Sequence, residues 1–151
     1  LAHPWIPTET GNVIRLGANT VAALHLIGPL VFPLDYSPMR RAGLDYHEFA
    51  ALHMHRDWPT FLEIERPDRE RMFALTTHGS AAPHDIALRA GDWFVFGCET
   101  RGLPNGIRDS FEVDRHLRLP MRPDQRSLNL SNAVAVVVFE AWRPIGFSGA
   151  R

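Results

Sequence analysis

The residues best equipped for chemistry are glycines set just after apolar runs, a single cysteine, a histidine pair and an isolated arginine. Gly79 follows MFALTTH, and Gly97 follows WFVF with Gly102 shortly after. In an open α/β sheet, ligands bind beyond the carboxyl ends of the strands, where glycine lets the backbone approach them. The segment GCETRG spaces its glycines like a phosphate loop, but Leu103 and Pro104 stand where Lys and Ser or Thr are required. No GxGxxG occurs, so an ordinary dinucleotide loop is unsupported. Each glycine alone is accounted for by a tight turn; three at strand ends point together to a site.

Cys98 lacks the arginine that a phosphatase-type nucleophile needs six positions on, because Pro104 sits there. The expectation is a buried or half-buried thiol. His53 and His55, in LHMH, share one face of a strand. No further Cys, His or carboxylate pair stands at metal-ligand spacing, so surface histidines and no metal are expected. Arg15, in TGNVIR, is expected near the start of the first helix on its polar side. Read alone, it is a solvated surface arginine.

These residues need elements to position them. Strand-like apolar runs recur at 23–27 (ALHLI), 72–76 (MFALT), 93–96 (WFVF) and 117–121 (LRLPM). Helical character appears at 12–22, at 56–64 with Asp57 as N-cap and Pro59 in the first turn, and at 103–111. Strands alternating with short helices indicate an α/β domain with a largely parallel sheet. The run 33–46 (PLDYSPMRRAGLDY) is polar and turn-rich, and is expected as an exposed excursion. Leu1, Ala2 and His3 are expected to form the tail of a strand. The run 133–139 (AVAVVVF) is strand-like by periodicity.

A chain of 151 residues favours one domain with a real core, and 45% apolar with 22% charged residues is ordinary globular composition. One cysteine excludes an internal disulfide and favours a reducing compartment. With no apolar run near the ~18 residues of a membrane span and no leader at its start, the expectation is a cytoplasmic protein without membrane contact. A net charge of −1 argues against coating nucleic acid through bulk electrostatics. All 16 basic residues are arginine, and Arg115, Arg118, Arg122 and Arg126 cluster, so a local anion-binding face is expected.

Six blocks in order, IPTETGNVIRLGANT, RRAGLDYHEF, FALTTHGS, FGCETRGLP, LRLPM and RSLNLSNAVAVVVFEAW, resemble the SPOUT class of RNA methyltransferases. Within it, essentially the whole chain is most similar to the small tRNA wobble-nucleotide (cytidine or uridine) 2′-O-methyltransferases of the TrmL (YibK-like) type. The resemblance implies a SPOUT α/β fold, a mostly parallel sheet flanked by helices with a deep C-terminal trefoil knot. Such a knot departs from the rule that chains are un-knotted. It also implies a homodimer, S-adenosyl-L-methionine as cofactor, and the tRNA anticodon loop as partner. The methyl would go to the wobble ribose 2′-oxygen of leucine tRNAs.

By the same resemblance, one loop of the cofactor pocket holds Leu75, Thr76 and Thr77 with Gly79 nearby. A second holds Phe96, Gly97, Glu99 and Gly102, and a third Leu119, Met121, Ser127 and Leu128. Asn12, Arg15, Glu99, Arg101, Ser131 and Asn132 match the polar active-site positions. Arg40, Arg41, Arg101, Arg118, Arg122 and Arg126 are the candidate RNA contacts, suited to a single-stranded loop whose bases can be splayed and stacked. The ribose hydroxyl is a poor nucleophile and needs help losing its proton. Arg15 is either the base, although a guanidinium stays protonated, or the group that grips phosphate and steadies alkoxide charge. Sequence leaves both roles open.

Four positions depart from the family pattern. Glu9 stands where Asn is usual, and is expected to add negative charge near the phosphate; His78 replaces Lys, Cys98 replaces Pro, and Phe139 replaces Tyr. The resemblance also turns AVAVVVF into part of a helix buried on nearly every side, with Asn129 and Ser131 both plausible N-caps. The implied activity is tRNA ribose 2′-O-methylation. The alternatives are methylation of another RNA ribose, or a non-catalytic cofactor- or RNA-binding relative.

Overall fold

The computed structural model describes residues 1–32 and 51–151. The expected excursion at 33–46, with Arg40 and Arg41, lies outside the described residues. Among those described, the order is α1 (Pro7–Ala18), β1 (Leu24–Ile27), β2 (Leu52–His55), α2 (Trp58–Glu65), β3 (Met72–Leu75), β4 (Trp93–Phe96), α3 (Asn105–Arg108), β5 (His116–Leu117) and α4 (Leu130–Trp142).

Two parallel ladders form, β1 with β2 and β4–β3–β5. The first three residues join them. Ala2 donates to the Phe96 carbonyl at 2.8 Å, while Ile27 donates to Leu1 at 2.9 Å and His3 to Ile27 at 2.8 Å. The expected strand tail therefore lies between β1 and β4. Successive strand residues point to opposite faces, so Leu26 and Phe96 enter one core with Val13, Ile14, Val134 and Val137 of α1 and α4. Their neighbours Ile27 and Val95 enter another with Phe61 of α2 and Ile107 of α3. Helices on both faces explain why β3 (MFAL) and β4 (WFVF) are apolar throughout. No described helix is long and apolar enough to cross a membrane.

Asp57 is the N-cap of α2, as its type predicts, its carboxylate accepting from the Thr60 amide at 2.9 Å. Other boundaries differ from expectation. α1 starts at Pro7, not near Asn12, which places Arg15 in its last turn rather than near its start. Proline in the first turn gives up an amide with no partner in the helix anyway, so Thr8 and Gly11 are carried despite poor propensity. β5 stops at Leu117, short of the expected 121; the next amide, Arg118, donates to the Ala81 carbonyl at 2.8 Å instead. α3 is a single turn, not a helix over 103–111.

The valine run is helical, as the resemblance implies and periodicity alone does not. Asn129 is its N-cap, accepting from the Asn132 amide at 3.1 Å, and the Ser131 hydroxyl donates back to Asn129 at 2.7 Å. Burying Val134 and Val137 contributes roughly 1.5–3 kcal/mol each, which outweighs the few tenths that β-branching costs a helix. Burial is one-sided, however. Val136 is 50% and Phe139 47% exposed within the single chain; the expected burial on nearly every side included a homodimer interface that one chain does not contain.

Candidate active site

Beyond the carboxyl ends of β3, β4 and β5 lies a pocket of about 340 Å³, within the range of small-molecule sites. Three loops and the first turn of α4 build it. Leu75, Thr76 and Thr77 come from the first loop, Phe96, Gly97, Glu99 and Gly102 from the second, and Leu119, Met121, Ser127 and Leu128 from the third. The residues assigned to cofactor binding thus converge on one cavity, Gly79 excepted. His78, Cys98, Thr100, Arg101, Leu103, Arg108, Arg118, Leu130 and Ala133 complete the walls. No motif marked Arg108, whereas Leu130 and Ala133 are one helical turn apart on α4, a spacing that could have found them.

The glycines act through close approach. A Cβ on Gly97 would lie 1.9 Å from the Gly102 carbonyl carbon, so the loop closes only because position 97 has no side chain. Cys98 and Gly102 exchange both backbone hydrogen bonds, at 3.2 and 3.0 Å, and Gly102 takes a φ of +67° at the end of this narrow turn. Gly79 lies against β5, where a Cβ would meet the Leu117 carbonyl carbon at 2.4 Å. It supports the pocket from behind. The Cys98 thiol is half-buried and accepts from the Arg101 amide at 3.4 Å, as a loop-shaping group would.

Two carboxylates tie this loop to α1 and α1 to α4. Glu99 accepts from the amides of Trp5 and Ile6, both at 3.1 Å, at the start of α1. Glu9, in the first turn of α1, accepts from the Asn129 side chain at 2.6 Å and the Ser131 amide at 3.1 Å, at the start of α4. Each puts negative charge where unpaired helix amides attract it. Partial burial pushes the Glu9 pKa up, but the hydrogen bonds from Asn129 and Ser131 outweigh it and hold the carboxyl below its ordinary value. The Glu9 carboxylate is therefore held ionised and occupied at the α4 cap. Sequence could not show this, because Glu9 and Asn129 meet only in the fold.

Asn12, Arg15, Ser131 and Asn132 do not line the pocket. Asn12 and Arg15 are exposed on α1, Ser131 and Asn132 lie in the first turn of α4, and the two carboxylates fix these helices relative to the loops. Arg101, Arg118, Arg122 and Arg126 are all exposed, with the Arg101 guanidinium 5.9 Å from the Trp5 ring centre. The polar arrangement can seat a ligand on backbone groups and present arginines at the pocket rim and beside it.

Comparison with known proteins follows this geometry. A tRNA (cytidine(34)-2′-O)-methyltransferase of Burkholderia cenocepacia is 64% identical, covering 99% of this chain and 96% of that protein. The Escherichia coli K12 protein of the same name is 53% identical over 99% of this chain and 94% of its own length. A solved structure described as giving insights into the 2-OH methylation of C/U34 on tRNA superposes with a TM-score of 0.83 and 39% identity, covering 95% of this chain and 87% of that one. Residues 1–139 match the SpoU rRNA Methylase family, and the chain belongs to it.

Proposed function

We propose that this chain is an S-adenosyl-L-methionine-dependent tRNA methyltransferase that methylates the ribose 2′-oxygen of the wobble nucleotide. The observation that carries the reading is the pocket at the ends of β3, β4 and β5, walled by the loops the resemblance assigned, in a chain this close to tRNA (cytidine(34)-2′-O)-methyltransferases. Its residues fit the cofactor. Leu75, Phe96, Leu119 and Leu128 offer apolar contacts to an adenine, while bare backbone beside Gly97 and Gly102 offers hydrogen bonds to its polar edges. When bound, the cofactor supplies an electrophilic methyl group.

The chain's own residues supply position and charge. Glu99 and Glu9 hold α1 and α4 at fixed places about the pocket, so Asn12, Arg15, Ser131 and Asn132 are set around an incoming ribose; such placement is worth several orders of magnitude in rate. Arg15, either as base or by gripping phosphate, eases loss of the hydroxyl proton. Exposed Arg101, Arg118, Arg122 and Arg126, with Arg40 and Arg41, contact the anticodon-loop backbone. Leucine tRNAs are the substrates in this reading. The chain acts as one SPOUT domain with a C-terminal knot, in the cytoplasm and as a homodimer. Val136 and Phe139, one turn apart and half-exposed on α4, with Val21 and Phe147 also exposed, support the pairing of two copies.

Methyl transfer from labelled cofactor to tRNA lacking the modification, followed by mapping of the labelled nucleotide, tests the proposal. Label at the wobble ribose is expected, and Arg15→Ala should abolish transfer while leaving cofactor affinity nearly intact. Cofactor binding without transfer to any tRNA pool would sink the enzyme reading and leave a binding module.

A further inference from the structure

The run 129–132 (NLSN) at the start of α4 carries a polar relay whose far end is on α1. The Asn129 side chain donates through Nδ2 to Oε1 of Glu9 at 2.6 Å, across 120 residues of sequence. An ionised carboxylate only accepts, so this contact fixes which end of the Asn129 amide is nitrogen. The Asn132 backbone amide agrees, donating to Oδ1 at 3.1 Å. Oδ1 also only accepts, and it receives the Ser131 hydroxyl at 2.7 Å. The one other group that takes a hydrogen bond from this side chain is Glu9, again as acceptor. Whichever of the two holds the Ser131 proton, Oγ has only lone pairs left for an incoming molecule.

We propose that Glu9 is a positioning residue for methyl transfer: through Asn129 it holds the Ser131 hydroxyl as a hydrogen-bond acceptor for the 2′-hydroxyl of the incoming ribose. The role rests on the functional reading above. A ribose hydroxyl that donates to Ser131 is fixed about its C–O bond, and its own lone pairs stay free to face the electrophilic methyl group. A Ser131 hydroxyl free to rotate could instead donate to the ribose oxygen, engaging a lone pair that the reaction needs. Ser131 receives no proton in this role. It orients the hydroxyl, and loss of the proton stays with the step assigned to Arg15.

The relay stands where it can act. Ser131 is half-buried, and its neighbours Leu130 and Ala133 line the cavity beyond β3, β4 and β5. The second Glu9 oxygen accepts from the Ser131 backbone amide at 3.1 Å, so the carboxylate holds the backbone of the residue whose side chain it orients. Charge at position 9 matters because a carboxylate cannot donate. With Gln there, the side chain donates as well as accepts, and Asn129 is free to turn over. Its Nδ2 would then donate to Ser131 and take up the lone pair.

The experiment follows single-turnover methyl transfer from labelled cofactor to unmodified tRNA by the full chain, with thermal unfolding to confirm that each variant is folded. Glu9→Gln, which keeps the side chain's shape, should lower the transfer rate about tenfold to a hundredfold, with affinities for tRNA and cofactor within about twofold of native. Ser131→Ala should lower the rate at least as far, and the double variant should be no slower than Ser131→Ala alone. A role confined to capping α4 predicts a lower unfolding temperature at an unchanged rate, and that result would overturn the proposal. Equal fold losses from Glu9→Gln in the native and Ser131→Ala backgrounds would also overturn it, because Glu9 would then act without Ser131. A native chain that transfers to no tRNA would remove the functional reading and this role together. Transfer by the native chain with either contrary result removes the role alone.

Discussion

In the β4–β3–β5 half of the sheet, polar groups reach the pocket because glycine removes side chains; in the β1–β2 half, they meet because side chains stack. The Gly97 turn holds its backbone against Gly102 at distances no Cβ would allow. The His25–His55–Glu65 cluster instead places three side-chain atoms within 3.7 Å of one another beneath Phe61 and Trp93. The first arrangement is sensitive to added volume and indifferent to protons. The second tolerates changes of shape at its rim but depends on charge state. One sheet thus supports a pocket made by omission and a polar cluster made by convergence.

The largest effect expected is from Gly97→Ala, which forces backbone against Cβ and should cost about 3 kcal/mol or more of stability, with loss of cofactor binding. Gly106→Ala is its control. Nothing lies within 4 Å of a Cβ there, and in the short α3 the change should be neutral or stabilising by up to about 1 kcal/mol. Thermal unfolding and cofactor calorimetry read both. Comparable losses at the two positions would erase the claim that close approach, rather than glycine as such, matters.

Glu9→Gln should cost about 1–2 kcal/mol, because an amide leaves one α4 donor without its charged acceptor. A double-mutant cycle with Asn129→Ala, read by denaturant unfolding, sharpens this: the two losses should fall short of additive in the double variant. Strict additivity would mean the carboxylate does not act through the α4 cap.

A further effect, confined to acidic pH, is the dependence on protons in the other half. His25 has a folded pKa of about 4 against an ordinary value of 6.5, chiefly through burial. Below pH 6.5 the unfolded chain therefore binds a proton that the folded chain refuses. Stability contributed by neutral His25 is full above that pH and is lost as pH falls toward 4. Unfolding midpoints across this window should decline in the native protein and decline less in His25→Gln. A profile unchanged by the substitution would remove His25 from the explanation.

What could be read from the sequence followed locality. The WFVF strand, the Asp57 cap and the pocket loops announce themselves through short-range patterns, and the structure brings those loops to one cavity. Local pattern misled where a distant group decided. AVAVVVF reads as strand by period, yet the Asn129 cap and packing on α1 make it helix. His53 and His55 read as surface residues on the LHMH pattern. His53 is exposed, but α2 covers His55 and leaves it 8% accessible.

By itself the sequence determined the family, the parallel α/β pattern and the loops that carry glycine, because each is written in residues close along the chain. Tertiary structure alone decided that Glu9 caps a helix beginning at Leu130 and that Glu65 meets His25 and His55. Those contacts join residues far apart in sequence. Their energy depends on distances that exist only after the sheet has paired and the helices have packed on its two faces.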